Sequence, residues 1–206
     1  MKSKYVILAS ALLMSVATFA QKDEIKAAEK ALKKGETKEA ATILQGAESL
    51  ISAASDSEKA QFFYLKGNVS LDLADKNIDA DKNLSLAAAA YLDLIAVEKA
   101  SGKSKYSSEA ATSITKIKYK LINSAIADSK ADKHSTSADK LYEAYLLDTK
   151  DTLNLYYAAS TYLNAKEYDK TLSMYNELKR LNYSGKGTNY LAVNKLTLEE
   201  DLFSTV

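Results

Sequence analysis

Between Leu155 and Leu181 the chain carries two apolar stripes at helical spacing, joined by a short polar turn. The first stripe holds Leu155, Ala158, Ala159 and Tyr162; the second holds Tyr168, Thr171, Tyr175, Leu178 and Leu181. Residues three and four apart share one face of a helix, so each stripe has to be buried against a neighbour. Small residues at Ala159 and Thr171 let two antiparallel helices approach closely, while Leu155, Tyr162 and Tyr175 fill the space around that contact. Composition extends the reading to the whole chain. With Pro 0 and Gly 6 in 206 residues, the sequence lacks the turn chemistry of a strand-rich fold and favours helix nearly throughout.

The order of sizes, large-large-small-large and then small-large-medium, resembles a tetratricopeptide repeat. The resemblance implies a helix-turn-helix unit that stacks on its neighbours into a curved solenoid, with a groove that binds other molecules. A second match runs from about Asp23 to Ile51, with Ala27, Ala28, Ala31 and Leu32 on one helix, Gly35 at the turn, and Ala40, Leu44 and Ala47 on the next. Phe63 and Gly67 open a looser unit closed by Ala87, Tyr91 and Leu94. Gly67 and Ala87 stand farther apart than the repeat requires, which predicts either a long turn through Asp75–Ala80 or two extended helices. Ile114, Ile117, Leu121 and Ala125, followed by Ala138, Tyr142 and Tyr145, make the remaining unit. Long single helices over 61–75 and 108–130 fit the same pattern, as does an irregular helical bundle.

Lys2 and Lys4 precede an uncharged run from Tyr5 to Ala20, after which the chain turns polar at Gln21. A basic start, a short apolar stretch and small residues at Thr18 and Ala20 predict a signal peptide cut after Ala20. The run is shorter than the roughly 20 residues that span a bilayer, so no stable membrane insertion is expected after cleavage. With Cys 0 there is no lipidation cysteine and no disulfide, and the expected destination is the periplasm of a Gram-negative bacterium, or the exterior. A formal charge of +1 lacks the basic excess that nucleic acid or an anionic membrane would require. The expected organisation is a signal peptide over 1–20, a repeat domain over 21–183 and an irregular tail over 184–206. The fold class is all-α, a solenoid of about four units. The Gly-x-Gly-Thr-x-Tyr run in the tail is similar to an interruption between repeats in longer exported proteins of this kind, where further repeats follow, which implies that the tail is a truncated link to further repeats and that Leu198 to Phe203 have to cap the exposed last repeat.

No residue set specifies catalysis, a cofactor or a metal. Asp75, Asn77, Asp79, Asp81 and Asn83 alternate like a calcium loop, but Ala80 stands where its glycine belongs and Leu86 where its bidentate glutamate belongs. They read as capping residues in a solvated insertion. His134 is the single histidine and reads as an exposed turn residue, since zinc and triad chemistry need further ligands or an oriented partner. Gly185–Lys186–Gly187–Thr188 lacks the spacing of a phosphate loop. Asp151–Thr152–Leu153 matches a short O-glycosylation pattern and equally a helix start, and Ser57 reads as a cap before Lys59.

In the family the groove is lined by one face of each first helix. Carried over by register, that face holds Ile25 and Glu29 in the first unit. In the second it holds Gln61, Tyr64, Asn68 and Leu71, and in the last Leu153, Tyr156, Ser160, Leu163 and Asn164. Tyr64, Asn68, Tyr156 and Asn164 combine rings with amides and are the expected partner-binding residues. The expected function is an interaction module or assembly scaffold that holds a segment of another envelope protein. The alternative is a glycan- or nutrient-binding accessory protein, which Trp 0 disfavours because sugar platforms are commonly tryptophan.

Overall fold

The computed structural model describes residues 22–185, 189–193 and 200–204. The expected signal peptide lies outside them. Helix α1 is described over 22–33 and is followed by α2 (Thr37–Ala47), a 3-10 turn (Glu48–Ala53), α3 (Asp56–Asp75) and α4 (Ala80–Ser101). Then come α5 (Ser107–Lys130), α6 (His134–Leu147), α7 (Thr152–Asn164) and α8 (Tyr168–Arg180). The all-α expectation holds for this body of the chain. Within the tail expected to be irregular, β1 (Asn189–Val193) and β2 (Glu200–Ser204) instead pair as an antiparallel ribbon, Leu191 opposite Leu202.

The helix interfaces join sequence neighbours: α2 on α3, α3 on α4, and so on to α7 on α8. Three apolar cores lie along this path. Ile25, Ala28, Leu44, Phe62 and Leu65 unite α1, α2 and α3. Leu84, Tyr91, Leu94, Ile117 and Leu121 unite α4 and α5, with Leu71 from α3. Ala125, Leu141, Leu155, Tyr162 and Leu178 unite the last four helices. Gly67 lets the buried Tyr91 lie directly against α3, since a Cβ there would stand 2.5 Å from the ring. The long spacing from Gly67 to Ala87 is taken up by extension of both helices, α3 being 20 and α4 22 residues long.

A chain without proline has to stop its helices by other means, and six of the eight described helices use one repeated backbone device. Gly35, Asn77, Gly102, Asp132, Lys166 and Asn182 all have positive φ, between 54° and 80°. Around each, two amides turn back to carbonyls of the final helical turn, as when Asn182 N donates to Lys179 O and Tyr183 N to Leu178 O. This is the left-handed Schellman stop, which satisfies carbonyls that a helix end otherwise leaves unpaired.

Several sequence expectations are corrected. On α1 the predicted Ala28, Ala31 and Leu32 face the core, but Ala27 is exposed and Ile25, three residues before Ala28, completes the inner face. Ile25 therefore belongs to the core and not to a groove. Ser55, not Ser57, caps α3, in a reciprocal capping box with Glu58. Tyr168 is exposed, and Met174 takes an inner position on α8. His134 begins α6 rather than sitting in a turn, and its Nδ1 is buried without a hydrogen-bond partner in the protein. The side chain of Asp151, at the start of α7, accepts from Lys118 and Asn154 and makes no backbone cap.

Candidate functional site

The four residues expected to bind a partner fall into two separate settings. Tyr64 and Asn68 lie one turn apart on α3. The Tyr64 ring stacks on Tyr106 with centroids 4.4 Å apart, and its hydroxyl donates to Glu109 Oε1 at 2.7 Å. Burial, together with the Glu109 carboxylate, raises the Tyr64 phenol above its ordinary pKa and keeps it a neutral donor. Asn68 Oδ1 accepts from Tyr91 Oη at 2.6 Å, and burial pushes the Tyr91 phenol up to about 12. Asn68 thus turns toward α4, the second helix of its own unit, rather than away from it. On the same helix Gln61 Nε2 donates to Glu29 Oε2 at 3.1 Å. This face of α3 is bound into α1, α4 and α5 by the protein's own side chains.

Helix α7 presents the opposite situation. Leu155, Ala158, Ala159 and Tyr162 are buried, as their 3.6-residue spacing requires, which turns positions 156, 157, 160 and 163 outward. Tyr156, Tyr157 and Leu163 are 38%, 45% and 47% exposed. The Tyr156 ring lies 5.7 Å from Tyr157 and 5.8 Å from Tyr183, which follows the stop at Asn182. Burial and the two neighbouring phenols raise the pKa of Tyr183. Tyr156, Tyr175, Leu178, Lys179 and Tyr183 border an open cleft of about 510 Å³. Ser160 Oγ and Tyr175 Oη stand 3.2 Å apart beside it. Asn164, the last residue of α7, is exposed.

On α5, Tyr119 and Ile126 are exposed and seven residues apart, hence on one face, opposite the buried Ile117 and Leu121. Sequence reading passed over Tyr119, and the inward stripe into which Ile126 was drawn ends at Ala125. A second cleft, about 480 Å³, lies between α2 and α4 over α3, floored by Leu44, Val69 and Leu73 and bordered by Lys38, Lys66 and Lys82.

Several ion pairs join helices. Lys140 is buried between Asp81 of α4 and Asp128 of α5. Burial disfavours its charge, but the two carboxylates outweigh that and raise its pKa. Lys118 is held likewise by Asp148 and Asp151. The segment expected to mimic a calcium loop is the α3–α4 turn, where Asp75 pairs with Lys116 and Lys120, and Asn83 Nδ2 donates to Ile78 O at 2.8 Å. Among the described residues there is no cluster of three or more potential metal ligands, and no helix is long and apolar enough to cross a membrane. Around α7 the surface presents two rings and a leucine, chemistry suited to contact. Comparison with family models and with curated proteins gave no match for the chain.

Proposed function

We propose that this protein is an exported, tetratricopeptide-like helical solenoid that acts as an interaction module, holding a segment of another envelope protein against α7 and the outward face of α5. The observation that carries the reading is the exposure of Tyr156, Tyr157 and Leu163 on one helix whose other face is fully packed. Tyrosine supplies broad apolar contact with a polar tip and few rotamers to immobilise, which suits it to recognition. The serial packing of antiparallel helices supports a repeat architecture, and the N-terminal pattern supports export with loss of Met1–Ala20. Of the four expected contact residues, Tyr156 and Asn164 are retained. Tyr64 and Asn68 take a supporting role, because their polar atoms are already bonded within the protein.

The test is photocrosslinking in the producing cell, with a photoreactive residue in place of Tyr156 or Tyr157 and, as controls, in place of Tyr64 or Lys170. Capture of one defined protein from positions 156 and 157 alone, by a form of the chain lacking Met1–Ala20, is the expected result. That capture should change little with salt, since the surface holds no block of like charge. Equal capture from the controls, or capture of saccharide alone, overturns the reading.

A further inference from the structure

Helices α2 and α4 both pack on α3, and between them lies the cleft of about 480 Å³. Its floor follows one stripe of α3, Val69, Ser70 and Leu73 at helical spacing, joined by Leu44 from α2, Ile78 from the turn before α4 and Leu86 from α4. All but one of these side chains are apolar. The exception is Ser70, which is 6% exposed and whose hydroxyl has no hydrogen-bond partner among the described residues. Buried polar side chains are ordinarily bonded, and this one lines the cleft with its capacity unused.

The rim adds charge. Lys66 is engaged with Glu48 at 2.5 Å, but the ammonium groups of Lys38 and Lys82 have no ion-pair partner among the described residues. Taken together, three rim lysines stand against Glu48 and Asp79, a positive excess that suits a monoanion. The volume falls in the range of small-ligand sites, roughly 300 to 1,000 Å³. A peptide segment is the poorer fit, because its amides and carbonyls would need partners that an apolar floor does not supply. We propose that the α2–α4 cleft binds a single-chain amphiphilic carboxylate, with its hydrocarbon body on Leu44, Val69 and Leu73 and its head group drawn to Lys38 and Lys82 and accepting from the Ser70 hydroxyl. The site shares no residue with α7, so it stands whether or not a partner binds there.

Dodecanoate is the probe, titrated below its micelle concentration into the purified, isotope-labelled protein and followed by the shifts of backbone amides. Dodecanol and dodecyltrimethylammonium serve as neutral and cationic controls of the same chain length. The expected result is saturable binding of dodecanoate that moves amides of α2, of the 66–73 stretch of α3 and of the start of α4, with the alcohol weaker and the cation weakest. The double variant Lys38→Gln, Lys82→Gln should weaken dodecanoate roughly three- to tenfold and leave the alcohol unchanged. Ser70→Ala should weaken dodecanoate about tenfold, as loss of a hydrogen bond to a charged group does, without lowering the melting temperature of the unliganded protein. A hydroxyl with a merely structural role would show the reverse. Equal binding of all three probes, shifts centred on α7, or an affinity that the lysine and serine variants leave intact would overturn the proposal, as would the absence of saturable binding.

Discussion

At Gly67 a hydrogen atom stands where any other residue would put a methyl, and the Tyr91 ring fills the difference. The demand is on space and not on backbone angle, so it separates Gly67 from Gly46, an exposed glycine inside α2 with nothing within 4 Å of a built Cβ. Gly67→Ala should destabilise the protein by roughly 1 to 3 kcal/mol, since the buried ring has to move. Gly46→Ala should stabilise it by about 0.5 to 1 kcal/mol by removing chain entropy from the unfolded state. Denaturant melts of the two variants, followed by circular dichroism, check both signs. Gly67 was legible as a small residue facing the next helix; its partner was not, because a tyrosine at a packing position carries no mark of which neighbour it will touch.

Between elements, Glu98 joins α4 to α5. It is 2% exposed, accepts from the backbone amides of Tyr106 and Ser107 and from the Ser107 hydroxyl, and so satisfies amides at the start of α5. Burial works to raise its pKa, but these donors outweigh burial and lower it below the ordinary glutamate value. A lowered folded-state pKa gives stability that is present above the unfolded value, near about 4.3, and is lost as pH falls through the folded one. Glu98→Gln should cost roughly 1 to 3 kcal/mol at neutral pH. It should also flatten the acid limb of a plot of stability against pH, which melts between neutrality and strong acid would read. No sequence pattern pointed to Glu98, because the bonds span a loop and carboxylates are usually solvated. The same holds for the helix stops. Gly35 and Gly102 announce themselves, whereas Asp132 and Lys166 adopt the same left-handed angle with side chains that give no warning. Buried stripes such as Leu155, Ala158, Ala159 and Tyr162 were readable because period alone decides them. Tyr168 misled because no described helix buries the outer flank of α8.

At the scale of the molecule, three cores in series mean that, among the described residues, no single apolar centre is shared by all eight helices. With contacts made largely between successive helices, the helices at the two ends of the described body have a packed neighbour on one side where central ones have two. Hydrogen exchange should therefore show α1, α2, α7 and α8 opening at lower free energy than α4 and α5, with each pair exchanging as a block. Uniform protection from α1 to α8 would mean that the molecule opens as one cooperative body. Site legibility follows the same division. The outward position of Tyr156 was readable from register, but the sequence does not say that Tyr64 is occupied from within, since its occupants Tyr106 and Glu109 lie more than forty residues further along the chain.

Because each helix leans chiefly on the one before and the one after, a pull on the two ends would be carried through the interfaces in turn and not shared among them. Under tension the protein would lengthen like a string of links, parting at its weakest joint while the remaining pairs stayed folded.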